Sequence, residues 1–95
     1  MSLFRRSKST PTTAAEHLRR QLANAADWSI TIARRRTTPG QPTRVTVDDV
    51  LARAAHDFNL LTVPPQAAAA ALRDRLHVRG TDNITTDAYH YDPTP

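Results

Sequence analysis

Apolar side chains follow helical spacing in the first part of the chain. The segment Thr13-Ala14-Ala15-Glu16 places a hydroxyl three residues before a carboxylate, which is the pattern of a capping box at a helix start. After it, apolar residues recur three and four positions apart, at Ala15, Leu18, Leu22, Ala25 and Ala26. We therefore predict a helix that begins at this cap and ends near Asp27.

The spacing changes to an alternation after Asp27. Trp28, Ile30 and Ile32 alternate with smaller residues, which is typical of a half-buried strand over residues 28–34. Residues 35–43 contain Pro39-Gly40 and predict a long turn, and residues 44–47 alternate again. This pattern predicts a β-hairpin with an arginine-rich tip. The alternative, in which residues 28–36 continue the first helix through Arg36, stays open.

Two further helices are predicted in the second half. Apolar residues at helical spacing run from Val47 to Phe58, with Thr46 as the cap, Phe58 in the core and Asn59 as a left-handed stop. Pro64-Pro65 suits the start of the next helix, which we place over residues 66–76. Residues 76–78 predict a short strand, whereas residues 84–91 have strand-type residues without firm alternation.

Together these elements predict an α+β fold, a small helix–β-hairpin–helix–helix domain with flexible N- and C-terminal tails. We expect residues 1–11 to form a disordered basic arm, residues 12–91 a single small domain, and residues 92–95 a disordered tail. Only 18 of the 95 residues are Leu, Ile, Val or Phe, so the core is expected to be thin. A lone tryptophan in such a core is expected to pack inside it.

Several classes of protein are excluded by what the sequence lacks. With no cysteine, neither a disulfide framework nor a zinc–thiolate site is available. Polar residues follow Arg5-Arg6 where a secretion signal needs an apolar stretch, and no segment is apolar enough to span a bilayer. We expect a cytoplasmic protein without a membrane partner.

The charge of the chain is polarised. Residues 1–45 carry a net charge of +7, and residues 46–95 carry −3. A basic segment of this kind can neutralise phosphates without reading bases. We therefore predict a non-enzymatic accessory protein that binds the nucleic-acid phosphate backbone without sequence preference, through Arg5, Arg6, Lys8, Arg19, Arg20, Arg34, Arg35, Arg36 and Arg44.

Two other binding modes remain open. The predicted helices 49–58 and 65–76 have the lengths of a helix-turn-helix, but alanines stand where side chains would read base edges. Trp28 and Phe4 are candidates for stacking on bases. In a different class, the acidic half can receive the basic half of a neighbouring copy, which suits a homo-oligomeric structural or adaptor subunit of a phage- or plasmid-type assembly.

Enzymatic chemistry finds little support in the sequence. Asp87, His90 and Asp92 offer metal-ligating side chains, but no further groups flank them to orient ligands. The chain has two glycines, which is too few for a phosphate-cradling loop, and no nucleophile–base spacing is present. We expect no catalytic residue, no metal site and no cofactor.

Overall fold

A computed structural model of the chain describes residues 13–91, which form three helices and a two-stranded sheet. The helices are α1 (Ala14–Arg36), α2 (Val47–Phe58) and α3 (Pro65–Arg79). The strands are β1 (Thr43–Arg44) and β2 (Ile84–Thr85), and a turn of 3₁₀ helix covers Ala88–His90. The α+β class is confirmed, and the predicted arm and tail lie outside the described residues.

Helix α1 overturns the predicted hairpin. Residues 28–34 are helical rather than extended, so the alternative of one helix through Arg36 is the structure observed. The buried positions Ala25, Ala26, Ser29 and Ile30 continue the helical spacing, and the Ser29 hydroxyl donates to the Ala25 carbonyl at 2.9 Å. Because β-branched residues cost only about 0.7 kcal/mol or less each in a helix, burial of this face outweighs the alternation.

The sheet pairs distant parts of the chain. Strand β1 runs parallel to β2, with Thr43 opposite Ile84 and Arg44 opposite Thr85. The Thr43 amide donates to the Asn83 carbonyl at 2.7 Å. Because α2 and α3 connect the two strands, parallel pairing replaces the hairpin. The prediction of a strand over residues 76–78 is wrong, because α3 continues to Arg79.

Helix α2 begins and ends at its predicted capping residues, whereas α3 begins at the predicted prolines but runs three residues past its predicted end at Leu76. In α2, the Thr46 side chain accepts from the Asp49 amide, and the Asp49 carboxylate accepts from the Thr46 amide at 2.9 Å. Asn59 closes the helix in the left-handed conformation, with φ of 56°. Helix α3 has Pro65 in its first turn and Gly80, with φ of 98°, as its cap.

The core lies between the three helices and β1. Its largest fully buried side chains belong to Ile30, Val45, Val47, Val50, Leu72 and Leu76. Alanines fill the remaining helix contacts, and their small side chains let α1, α2 and α3 approach closely. Phe58 packs against this core on the predicted face of α2, but it is only partly buried and lies at the edge rather than at the centre.

The last described segment is held by side chains of the helices. The Asp87 carboxylate accepts from the Val47 amide at 2.9 Å, at the start of α2. From α3, the Arg73 guanidinium donates to the carbonyls of Ala88 at 2.8 Å and Tyr91 at 3.3 Å. These bonds fix residues 87–91 although their sequence lacks a clear period.

Candidate functional site

The arginines within residues 13–91 form two groups, according to whether their side chains bond to other residues of the protein. All four arginines beyond Thr46 are engaged. Arg75 Nε lies 2.9 Å from Asp27 Oδ1, and Arg79 contacts the same oxygen at 3.6 Å. Arg53 pairs with Asp57 at 3.3 Å, and Arg73 holds the two carbonyls described above. These four guanidinium groups are occupied by structural bonds.

The second group consists of predicted phosphate-binding residues. Six of them are exposed, and none forms an ion pair or a side-chain hydrogen bond with any residue between 13 and 91; they are Arg19, Arg20, Arg34, Arg35, Arg36 and Arg44. We call these six the unpaired arginines. The other predicted residues, Arg5, Arg6 and Lys8, lie outside the described part of the chain. The separation follows the sequence: the unpaired arginines all precede Val45.

Helix α1 places the unpaired arginines at two positions along its length. Arg19 and Arg20 lie in its second turn, and Arg34, Arg35 and Arg36 form its last turn. At about 1.5 Å per residue, fifteen residues separate the two groups by about 22 Å. Basic residues in a last turn also complement the helix dipole, so they stabilise α1 as well. The two groups are thus distinct rather than one compact patch.

Arg36 and Arg44 both line a cleft at the end of α1. This cleft has a volume of about 710 Å³ and lies between α1, the loop of residues 37–42 and the outer side of α2. Arg53 and His56 also line it, and Asp49 is its one acidic lining residue among those described. Positive charge dominates the lining because three arginines face this single carboxylate. We call this the basic cleft.

Surface carboxylates near the arginines already have partners. A hydrogen bond from His56, at 2.8 Å, and a second from Arg53 lower the pKa of Asp57. At the start of α1, hydrogen bonds from the Thr13 backbone and hydroxyl lower the pKa of Glu16. Both groups stay ionised at neutral pH while bonded locally. Asp57 is thus bonded within α2, whereas the charges of Arg19 and Arg20 also contribute to lowering the pKa of Glu16.

Trp28 on α1 is exposed, whereas the sequence predicts that it packs in the core. Trp28 is 48% exposed instead of packing in the core, because in a helix it points away from Ile30 rather than sharing its face. It lines a shallow cleft of about 260 Å³ together with Asn24, Asp27, Thr31 and Phe58. We call this the tryptophan cleft. The sequence does not predict this cleft, because the alternating pattern of residues 28–34 indicates a strand.

The remaining candidate chemistry has a structural explanation. Residues 13–91 contain no group of histidine and carboxylate side chains able to hold a metal ion. Asp87 is bonded to the start of α2, and Asp92 lies outside the described residues. Helices α2 and α3 are the pair that the sequence offers as a helix-turn-helix. The three arginines of α3 are bonded to α1 and to residues 88–91, so they are not available to read bases. No helix in this part of the chain has the length and apolar character needed to cross a membrane.

Known proteins add no further constraint on this site. Comparison of the chain with protein-family models, with curated proteins and with solved structures found no match.

Proposed function

We propose that this protein is a non-enzymatic accessory factor that binds the phosphate backbone of nucleic acid without base-specific recognition. One observation carries the proposal. The structure binds four arginines internally, while six others remain exposed and unpaired within residues 13–91. A guanidinium without an internal partner is available to neutralise a phosphate and to release the counterion condensed there. Arg5, Arg6 and Lys8 add three charges to the same half of the chain.

The spacing of the unpaired arginines supports an extended ligand rather than a single anion. The two groups on α1 are about 22 Å apart, and one strand of a duplex carries a phosphate for about every 3.4 Å of the duplex axis. The separation of the two groups is therefore the length of duplex axis that holds about six phosphates of one strand. The basic cleft adds Arg44 beside Arg36 at one end of α1. Binding of this kind is expected at micromolar affinity or weaker at physiological salt.

Fluorescence anisotropy with labelled DNA tests the proposal. The variant Arg34→Gln/Arg35→Gln/Arg36→Gln removes three contacts that are each worth about 0.2–1 kcal/mol at an exposed site. We expect its affinity to fall by about 3- to 150-fold. Arg73→Gln is the control, because this guanidinium holds backbone carbonyls, and its affinity should stay within about two-fold of wild type. A triple variant that binds as tightly as wild type contradicts the proposal.

A second candidate function is a homo-oligomeric structural or adaptor subunit. Leu61, Val78 and Tyr89 are exposed by 72%, 66% and 57%, so apolar surface is available for another chain. A mainly apolar groove of about 480 Å³ also runs between α1 and α3, lined by two leucines, several alanines and three charged residues. Light scattering over a range of protein concentrations separates the candidates. A defined oligomer that does not bind DNA supports the subunit, whereas a monomer with salt-sensitive DNA binding supports phosphate binding.

A further inference from the structure

We propose that the tryptophan cleft makes α1 a binding site for single-stranded nucleic acid, in which a base stacks on the Trp28 indole. This inference rests on the proposed function and names the form of nucleic acid that the site prefers. Its starting observation is that a chain with few large apolar residues leaves its only tryptophan 48% exposed. An indole buries 150–250 Å² when it packs, so its place at the surface gives up stabilisation of the core.

The tryptophan cleft contains the groups that a base requires. Trp28 on α1 and Phe58 at the end of α2 supply two aromatic rings, and Phe58 is itself only partly buried. The Asn24 amide and the Thr31 hydroxyl supply donors and acceptors for a base edge. Stacking on an aromatic ring is tolerant of sequence because every base has a π-face. The cleft therefore fits the absence of base-specific recognition.

The carboxylate in the cleft does not oppose an anionic ligand. Asp27 Oδ1 accepts from Arg75 at 2.9 Å, and Arg79 lies 3.6 Å from the same oxygen. Arg79 also donates to the Asp27 carbonyl at 2.7 Å. Two guanidinium groups thus neutralise one carboxylate, and the surroundings of Trp28 carry no net negative charge from it.

Unpaired arginines flank Trp28 along the helix. Arg35 is seven residues further on, about 10 Å along the axis and rotated by about 20° from Trp28. Arg20 is eight residues earlier, about 12 Å along the axis and rotated by about 80°. Phosphates on either side of a stacked base are therefore within reach of a cation. In a duplex the bases are paired and stacked on each other, so only a single strand can use Trp28 together with both arginines.

Tryptophan emission provides a direct test in the full chain, because Trp28 is the only tryptophan. The protein is titrated with a short oligothymidylate and, separately, with duplex DNA of the same length. We expect the oligothymidylate to quench the emission at saturation and the duplex to change it little. Oligothymidylate binding without quenching overturns the inference and leaves the proposed function standing. If neither DNA binds, both are overturned.

A substitution provides an independent readout by anisotropy of labelled DNA. Trp28→Ala is expected to weaken oligothymidylate binding by about 5- to 150-fold, the effect of losing one stacked base. Duplex affinity should stay within about two-fold of wild type, since the unpaired arginines remain. Trp28→Phe keeps a stacking ring and should recover part of the lost affinity. If the alanine variant folds poorly, the phenylalanine variant is compared with wild type instead. Equal loss of affinity for both DNAs, or no loss for either, contradicts the proposal.

Discussion

Replacement of Ile30 by alanine distinguishes the helix α1 from the strand that the alternating pattern indicates. Ile30 is fully buried between the helices, so truncation removes buried methyl groups and leaves a cavity. Such a change costs about 2–5 kcal/mol. In a domain of this size, each kcal/mol lowers the melting temperature by about 4–8 °C, so a loss of about 3 kcal/mol predicts a decrease of about 12–24 °C.

Ile32→Ala is the matched control on the same helix. Residues two positions apart in a strand lie on the same face, so in a strand Ile30 and Ile32 would contribute equally to stability. In a helix they point about 200° apart, and Ile32 is only partly buried at the basic cleft. We expect Ile32→Ala to cost at most about 1.5 kcal/mol, less than a full isoleucine truncation in a core.

Urea and thermal unfolding followed by circular dichroism compare the two variants. If Ile30→Ala does not fold, Ile30→Val is measured instead, with an expected cost of about 0.5–1.5 kcal/mol, alongside Ile32→Val with a smaller one. Equal destabilisation by the two substitutions would refute the helical packing of α1 described above.

Three further predictions concern α2. Thr46→Ala removes one side of the capping box and should lower the free energy of unfolding by about 0.5–2 kcal/mol in urea titrations, with most of it restored by Thr46→Ser; no change would contradict the role of the cap. Asn59 has φ of 56°, so Asn59→Val should cost about 1–2 kcal/mol while Asn59→Gly costs at most a few tenths, and equal effects would exclude backbone strain as the cause. Hydrogen bonds from His56 and Arg53 lower the pKa of Asp57, so this carboxylate stabilises the fold above its ordinary pKa of about 3.9, and the contribution is lost as the pH falls through the lower folded value. The difference in stability between wild type and Asp57→Asn should thus be present at neutral pH and shrink in acid, and a constant difference would contradict the assignment.

The two capping boxes and the end of α2 are predictable from this sequence because their causes are local. Thr13 with Glu16, and Thr46 with Asp49, form their capping boxes within three residues, and Asn59 adopts its left-handed conformation at the predicted stop. Such contacts require no knowledge of the rest of the fold.

Residues 28–34 show why the other elements of the fold are not predictable from local sequence. The alternation of Trp28, Ile30 and Ile32 indicates a strand locally, but burial of Ile30 between three helices decides the structure. The parallel pairing of β1 with β2 likewise depends on residues 41 positions apart. Tertiary packing overrides local propensity at both places.

The candidate site combines both kinds of information. Composition identifies the basic half of the chain, but it does not reveal which arginines the fold binds. The pairing of Arg75 and Arg79 with Asp27 joins residues about fifty positions apart, so only the structure separates these arginines from the unpaired ones. The exposure of Trp28 also depends on its being helical.

The salt dependence of duplex DNA binding tests the central claim most directly. The logarithm of the binding constant should fall linearly with the logarithm of salt concentration, with a slope of about −0.9 for each phosphate contacted. Arg34→Gln/Arg35→Gln/Arg36→Gln should reduce the steepness by about 1.8–2.7, for two or three lost contacts, whereas the same three changes to lysine keep the charge and should preserve the slope. A slope that is the same in the wild-type, glutamine and lysine proteins would contradict phosphate binding by the unpaired arginines.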